Sequence, residues 1–161
     1  MKKTIYEFEY DVYDSIENLT PEDKSLMDSA RKVTQKAYAP YSKFLVGAIA
    51  ILENGERVEG TNQENASFPV GICAERTLLG SAAMYHQGVP IQTMAIAYHN
   101  LNGRSDKPVS PCGMCRQALS EYEDRTQKPI RLILSGMDGN VYIIKKSSLL
   151  LPLSFGSIDF K

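Results

Sequence analysis

Apolar residues follow two different periods along the chain. From "TPEDKSLM" onward, apolar residues recur every three to four positions, which is typical of one face of a helix. Thr20 is a suitable N-cap and Pro21 suits the first helical position. This helix is predicted to run to about Ala39, where Pro40 ends it. Two further helices are predicted, one beginning near Cys73 and one in "CGMCRQALSEY".

Strand patterns occupy segments between the predicted helices. The nearly continuous apolar run "TMAIAYH" is typical of a strand covered on both faces. Asn54-Gly55 predicts a hairpin turn between "FLVGAIAIL" and "ERVEGTN", and two more strands flank Asp138-Gly139. Strands interleaved with helices predict an α/β fold, a three-layer α/β/α sandwich around a mixed sheet of about five strands. We expect a single domain over residues 1–161.

The N-terminal segment "IYEFEYDVY" has the period of two that is typical of a strand. Its apolar residues alternate with acidic ones, at Tyr6, Phe8, Tyr10 and Val12. This pattern predicts a half-buried strand, or an arm that pairs with another segment.

Composition narrows the possible functions. The 161 residues are 43% hydrophobic, enough for a core, and carry a formal net charge of −1. No run of like charges forms the basic stripe of a nucleic-acid surface, and no apolar run approaches the roughly 20 residues that cross a bilayer. The first residues lack the apolar middle region of a secretion signal. We therefore expect a cytoplasmic protein that binds neither nucleic acid nor membranes.

The three cysteines are an odd number for a disulfide framework, and in a reducing cytosol metal binding or catalysis is the better expectation. Burial as apolar side chains is the alternative. Cys112 and Cys115 form a C-x-x-C at a predicted helix start, with both sulfurs on one side of the first turn. Cys73 also begins a helix, which the intervening strand would bring beside the other. The three thiolates could then converge on one tetrahedral Zn²⁺ per chain.

Glu75, two positions after Cys73, gains a role beside such a metal. Three protein ligands leave a tetrahedral ion one open position for water or substrate. Glu75 is close enough in sequence to contact that water and move its protons without binding the metal. The alternative is a surface acid in the first turn of a helix. His86 and His99 are the only imidazoles that could complete the shell, and each is better explained as an ordinary histidine.

Arginines follow two of the candidate ligand positions. A zinc ion with three thiolates has a net negative charge, which weakens it as a Lewis acid. A guanidinium that donates hydrogen bonds to the sulfurs would withdraw charge from them. We assign this role to Arg76, whereas for Arg116 charge tuning and a solvated helix face stay equally open.

The sequence resembles a known family in four separated blocks. "C-A-E" followed by "P-C-x-x-C" is the zinc signature of nucleoside and nucleobase deaminases, here in an all-cysteine form. "AYAPYSKFLVGAI", "GTNQENASFPVGICAERT", "SPCGMCRQ" and "LLLPLSFG" resemble the small, homotetrameric cytidine deaminases from about Ala37 to the C-terminus. The resemblance implies the cytidine deaminase-like fold and the zinc-dependent hydrolytic deamination of cytidine and deoxycytidine, a step of pyrimidine salvage.

The resemblance also implies which residues contact the nucleoside. Phe44 would pack against it, and Asn62 and Glu64 would hold the ribose hydroxyls. The backbone N–H of Ala74 would meet the pyrimidine O2, and the carbonyl of Ser110 would accept a hydrogen bond from the leaving amine.

One residue is assigned by the resemblance to another subunit, and two features of this chain depart from the family. Phe155 would reach a neighbouring subunit's pocket and stack on the base, so each site of the homotetramer would need more than one subunit. Phe68 stands where the family usually has tyrosine, which removes a hydroxyl from the sugar end of the pocket. Residues 1–18 exceed the common family length, and we expect an extra edge strand or a contact that changes the oligomer.

Three other functions fit parts of the sequence. Deaminases of the same fold that act on larger or N4-modified nucleosides, such as blasticidin S, lack the ribose-holding "N-x-E-N" that is intact here. Deaminases of DNA or RNA share the zinc chemistry but need a basic surface. A non-catalytic zinc or redox module would use the C-x-x-C, although redox cycling needs cysteines that zinc would mask.

Overall fold

The computed structural model describes residues 1–160, which form one mixed sheet with helices on both faces. The strands are β1 (Asp11–Tyr13), β2 (Phe44–Leu52), β3 (Arg57–Thr61), β4 (Ile91–Asn100), β5 (Arg131–Ser135) and β6 (Val141–Ile144). Their order is β1-β6-β5-β4-β2-β3, and only β4 and β5 run parallel. The sheet has six strands, where about five were expected, because the N-terminal segment adds β1 at one edge.

Three α-helices cover the sheet and complete the predicted three-layer sandwich. They are α1 (Pro21–Val33), α2 (Ala74–Tyr85) and α3 (Gly113–Thr126). Side chains of β2 alternate between two cores: Ala48 and Ala50 face α2 and α3, whereas Ile49 faces α1. This alternation explains why the central strands read as continuous apolar runs. Within the described residues, no helix is long and apolar enough to cross a membrane.

Helix α1 begins as predicted but is shorter than expected. The Thr20 side chain accepts a hydrogen bond from the Asp23 amide at 3.2 Å, which caps the first turn. The helix ends at Val33 and not near Ala39, and a 3₁₀-helical turn over Thr34–Lys36 follows it. The Thr34 hydroxyl donates to the Arg31 carbonyl at 2.7 Å, which satisfies one of the last carbonyls of the helix.

The N-terminal strand prediction is confirmed only for β1. This strand pairs antiparallel with β6, with Asp11 opposite Ile143 and Tyr13 opposite Val141. Pairing stops one residue before the end of β6 at Ile144, and the chain after β6 leads into a 3₁₀ helix over Ser147–Leu150. Residues 1–10 therefore run along the protein without strand hydrogen bonds.

An ion pair between Asp23 and Arg131 joins α1 to the start of β5. Two hydrogen bonds of 2.7 Å connect the guanidinium and the carboxylate, and the Asp23 side chain is largely buried. Hydrogen bonding to Arg131 holds the pKa of Asp23 below its usual value, although burial opposes this. Asp23 therefore stabilises the fold above its unfolded-state pKa near 4, and the contribution is lost as pH falls through the folded pKa.

We expect Asp23→Asn to lower the free energy of unfolding by about 1–3 kcal/mol at pH 7, because Arg131 loses a charged, bidentate partner. Below roughly pH 4 the difference in unfolding free energy between the two proteins should shrink, since Asp23 of the wild type then becomes protonated and loses its charge. Urea unfolding of both proteins at each pH measures this. A difference that stays constant with pH would show that charge is not the cause.

Candidate active site

The three cysteines meet at one end of the sheet. The Cys112 sulfur lies 3.8 Å from that of Cys73 and 3.5 Å from that of Cys115, and all three sulfurs lie within 4.8 Å of one another. Sulfurs bound to a tetrahedral zinc ion at the usual distance of about 2.3 Å are about 3.8 Å apart. The spacing and the chemistry of this donor set therefore fit zinc.

The sheet explains why two cysteines 39 residues apart become neighbours. Strands β3 and β4 both run antiparallel to β2, so both end near the point where β2 begins. From that end the chain continues through loops into α2 and α3, which pack on the same face. Cys73 and Cys112 are the N-cap residues of these two helices. The helix N-termini favour ionised sulfurs at both positions.

The thiols interact strongly with one another. Hydrogen bonding from Cys115 lowers the pKa of Cys73 to about 6, although burial opposes this shift. The same contact and its own burial raise the pKa of Cys115. The Cys73 thiol therefore gives up its proton more readily than the Cys115 thiol. A divalent cation would displace such protons, since the thiolate is the metal-binding form.

Glu75 lies beside this cluster in the first turn of α2. It is only 5% exposed, which excludes the surface-acid alternative. Burial raises the pKa of its carboxyl group above the usual range. Its side chain lines a cavity of about 400 Å³ together with Cys73 and Cys112. A carboxyl group with a raised pKa in this position can exchange a proton with a molecule in the cavity.

The cysteine cluster has no fourth protein ligand among residues 1–160. No histidine, aspartate or glutamate of that part of the chain joins the three sulfurs. His86 caps the far end of α2, and His99 lies in β4. A zinc ion held by three cysteines keeps a position open, which is the arrangement of catalytic sites.

Four predicted substrate contacts line the same cavity as Glu75. These residues are Phe44, Asn62, Ala74 and Ser110. Tyr98 also lines it, and its ring stacks on that of Phe44 with the centroids 4.8 Å apart. No motif in the sequence indicates Tyr98, because its position in β4 reads only as part of an apolar strand. The aromatic pair contributes apolar surface to the lining of the cavity.

The side chain of Asn62 is already bound to the sheet. Its Oδ1 accepts from the Val46 amide at 2.7 Å, and its Nδ2 donates to the Phe44 carbonyl at 2.9 Å. These bonds fix the amide group at the edge of the cavity. One N–H of the amide remains for another acceptor.

Glu64 lies in a neighbouring cavity of about 430 Å³, together with Tyr41 and Phe68. Its Oε2 accepts hydrogen bonds from the amides of Tyr41 and Ser42 at 2.9 and 3.3 Å. Hydrogen bonding with Ser42 is the main cause that holds the pKa of Glu64 below its usual value. Ser42 lines both cavities, so they adjoin each other. The ribose role of Glu64 stays a prediction.

Two predicted site residues do not contact the site in the expected way. Arg76 points a guanidinium nitrogen at the sulfur of Met114, 3.9 Å away, and not at a cysteine. Its charge nevertheless contributes to the lowered pKa of Cys73. Phe155 packs against Phe160 with centroids 5.1 Å apart and does not line the cavity of its own chain. Both roles stay predictions.

Gly60 in β3 lets the first turn of α2 lie directly on the sheet. A Cβ at this position would lie 2.4 Å from the Ala74 carbonyl oxygen and 2.5 Å from the Leu78 amide nitrogen. Both contacts are with backbone atoms of α2, so the helix itself would have to move. Gly60 thus sets the position of the turn that carries Glu75, and no sequence motif indicated it.

We expect Gly60→Ala to lower the free energy of unfolding by about 1–3 kcal/mol and to reduce zinc occupancy, because α2 must shift. Gly80→Ala is the matched control, since that helical glycine has open space around it and alanine favours a helix. Urea unfolding and zinc analysis measure both effects. Equal stability and zinc content in the two variants would contradict the role given to Gly60.

Comparisons with known proteins agree with this geometry. Residues 20–128 match the family model described as "Cytidine and deoxycytidylate deaminase zinc-binding region". The cytidine deaminase of Halalkalibacterium halodurans is 37% identical over 134 residues, 83% of this chain and 94% of that protein. A blasticidin-S deaminase of Bacillus cereus is 30% identical over 142 residues, 86% of this chain and 95% of that protein.

A solved structure carries the same fold. The crystal structure of cytidine deaminase from Burkholderia pseudomallei superposes with a TM-score of 0.70 at 34% identity, covering 85% of this chain and 100% of that one. The matched zinc-binding region contains all three cysteines and Glu75. This chain belongs to the cytidine and deoxycytidylate deaminase family, whose zinc-binding region it matches, and the three cysteines that meet at the starts of α2 and α3 form a group that fits a zinc ion.

Proposed function

We propose that the chain catalyses the hydrolytic deamination of cytidine and deoxycytidine to uridine and deoxyuridine, with release of ammonia. One observation carries this proposal: a buried glutamate and two cysteines of a three-cysteine cluster that fits zinc line a cavity of about 400 Å³, which Phe44 and Tyr98 also line. A pyrimidine ring packs well against aromatic side chains. Replacement of its amine by oxygen also requires a group that transfers protons. In the cell, this reaction would serve pyrimidine salvage.

Glu75 carries the protons of the reaction. When held by Cys73, Cys112 and Cys115, a zinc ion would act as a Lewis acid and lower the pKa of a water molecule. Glu75 takes a proton from the attacking water and delivers it to N3 of the ring. The new C4–O bond forms, and Glu75 then transfers the second proton to the amine. The C4–N bond breaks, and uridine and ammonia leave. Burial suits Glu75 to this work, because its raised pKa allows it to accept and release protons.

Other residues of the site would orient the nucleoside. Ala74 is the first residue of α2, so its N–H has no acceptor within the helix and is available to the pyrimidine O2. The carbonyl of Ser110 would accept from the amine, and Phe44 would pack on the ring. The remaining N–H of Asn62 and the second carboxylate oxygen of Glu64 would hold the sugar hydroxyls.

Ultraviolet spectroscopy of the zinc-replete protein mixed with cytidine tests this function directly. We expect conversion to uridine, and conversion of deoxycytidine in a parallel sample. If neither nucleoside reacts while each chain holds one zinc ion, the substrate assignment is wrong. Blasticidin S then becomes the next substrate to test.

A deaminase of larger nucleosides is the second candidate function. The observation that favours it is the similarity to the blasticidin-S deaminase of Bacillus cereus over nearly its full length. The cavity around Glu64 and Phe68 adjoins the zinc cavity and would offer room for a larger substituent. Intact "N-x-E-N" at Asn62–Asn65 favours a ribose instead. Relative kcat/KM for blasticidin S and cytidine decides between the two.

We also propose a homotetramer in the cytoplasm, with residues 1–161 as one domain. Phe155 from one chain would complete the site of a neighbour. Its ring is 60% exposed, and several other large apolar side chains at the C-terminus are exposed as well. Light scattering measures the mass. A monomer that is fully active would overturn the shared site, and Phe155→Ala should raise KM in a tetramer.

A further inference from the structure

The N-terminal residues form an arm over the side of the protein that carries the zinc site. Tyr6, Phe8 and Tyr10 form a row of rings, with successive centroids 6.4 and 6.0 Å apart. The row continues onto the core, because Tyr10 lies 5.0 Å from Tyr142 of β6. We call residues 6–10 the aromatic arm.

A hydrogen bond fixes the other end of the aromatic arm. The Tyr6 hydroxyl donates to the Leu149 carbonyl at 2.6 Å, across 143 positions of sequence. Leu149 belongs to the 3₁₀ turn over Ser147–Leu150, which follows β6. The arm therefore holds this turn at one end and β6 at the other, although it forms no strand.

The same turn is connected to the loop that precedes Cys112. Arg116 donates from Nη1 to the Leu150 carbonyl at 3.0 Å and from Nε to the Pro111 carbonyl at 2.8 Å. The Arg116 guanidinium is thus half-buried and bonded to backbone oxygens, which argues against a solvated helix face, whereas charge tuning of the zinc thiolates stays a hypothesis. Contacts thus run from Tyr6 through the turn and Arg116 to Pro111, beside the zinc ligand.

The loop at Ser110 separates two cavities. One is the zinc cavity, which Ser110 lines opposite Phe44. The other measures about 460 Å³, lies beneath the aromatic arm, and is lined by all three arm rings, Ser110 and Arg116. Because Ser110 lines both cavities, support from the arm side affects the shape of the zinc cavity.

We propose that the aromatic arm is a positioning segment for the active site: it holds the Leu149–Leu150 turn and, through Arg116, the Ser110–Pro111 wall of the substrate cavity. The effect on kinetics rests on the proposed deaminase function, whereas the effect on wall mobility does not. Glu75 and Cys73 lie at the start of α2, which none of these contacts reaches. Loss of the arm should therefore weaken substrate binding more than the chemical step.

Single substitutions separate the two anchors of the arm. Tyr6→Phe removes only the hydroxyl that binds Leu149. Tyr10→Ala removes the ring that packs against Tyr142, whereas Tyr10→Phe retains it and should behave as wild type. Glu9→Gln, on the same arm but between the rings, is the control. We expect Tyr6→Phe, Tyr10→Ala and deletion of residues 2–10 to raise KM for cytidine about threefold to tenfold, with kcat changed less than twofold.

Hydrogen exchange of the zinc-loaded, full-length variants gives a readout that needs no activity. We expect faster exchange at Ser110–Cys112 and Leu149–Leu151 in Tyr6→Phe and Tyr10→Ala, but not in Tyr10→Phe or Glu9→Gln. Wild-type exchange and unchanged KM in both affected variants would overturn the proposal. Faster exchange confined to residues 1–10 would also overturn it. If no protein converts cytidine but the wall exchanges faster, the arm keeps its role and the substrate assignment fails.

Discussion

Glu75→Gln is expected to bind cytidine and zinc but to turn the nucleoside over about 10²–10⁴-fold more slowly than wild type. The amide keeps the size of the side chain, so the cavity and the helix should be unchanged. It cannot accept a proton from the attacking water, nor deliver one to N3 or to the leaving amine. The loss should appear in kcat, because the interaction acts in the transition state. Glu75→Ala should lose a similar factor while still binding cytidine.

Glu121→Gln is the matched control for this result, since Glu121 is an exposed acid of α3 on the same face of the sheet. Its activity should be within about twofold of wild type, as surface substitutions change little. Calorimetric titration with uridine measures binding, and ultraviolet spectroscopy measures turnover. Near-wild-type kcat in Glu75→Gln would contradict the mechanism, because the proton carrier would then be another group.

Removal of zinc is expected to abolish activity and to free the three thiols from the metal. The native protein should show little reaction with a thiol reagent, because bound thiolates are masked. A chelator should release one zinc ion per chain and make Cys73 and Cys112 reactive, whereas the buried Cys115 should react only after unfolding. Cys112→Ser should reduce zinc affinity by at least the roughly 10–100-fold that outer-shell partners of metals contribute, and activity should fall with zinc content.

Met114→Leu provides the control within the same helical turn. Its side chain is exposed and lies between the two ligands of the C-x-x-C, so zinc occupancy should remain at the wild-type level. The thiol titration also tests the redox alternative. Thiols that cycle with oxidants in the zinc-replete protein, at unchanged zinc content, would favour a redox module over a deaminase.

Local features of this fold could be predicted from the sequence, because they depend on neighbouring residues. Thr20 and Pro21 indicated the start of α1, and Asn54-Gly55 indicated the hairpin between β2 and β3. The C-x-x-C spacing placed two sulfurs on one helical turn, which the structure has at 3.5 Å. The end of α1 was predicted too far along, since the 3₁₀ turn after Val33 has no clear sequence signal.

The sequence by itself determined the chemistry of the site: three cysteines, a glutamate two positions after one of them, and hence the zinc-dependent deaminase family. Only the tertiary structure decided how these groups and their neighbours are arranged. Cys73 meets Cys112 because β3 and β4 both run antiparallel to β2. The spacing of apolar residues predicts which segments are strands, but it does not predict the order of the strands in the sheet. Tyr98 against Phe44 and Gly60 beneath α2 are likewise long-range contacts. Periodicity reports which face of an element is buried, whereas packing between elements determines what that face touches.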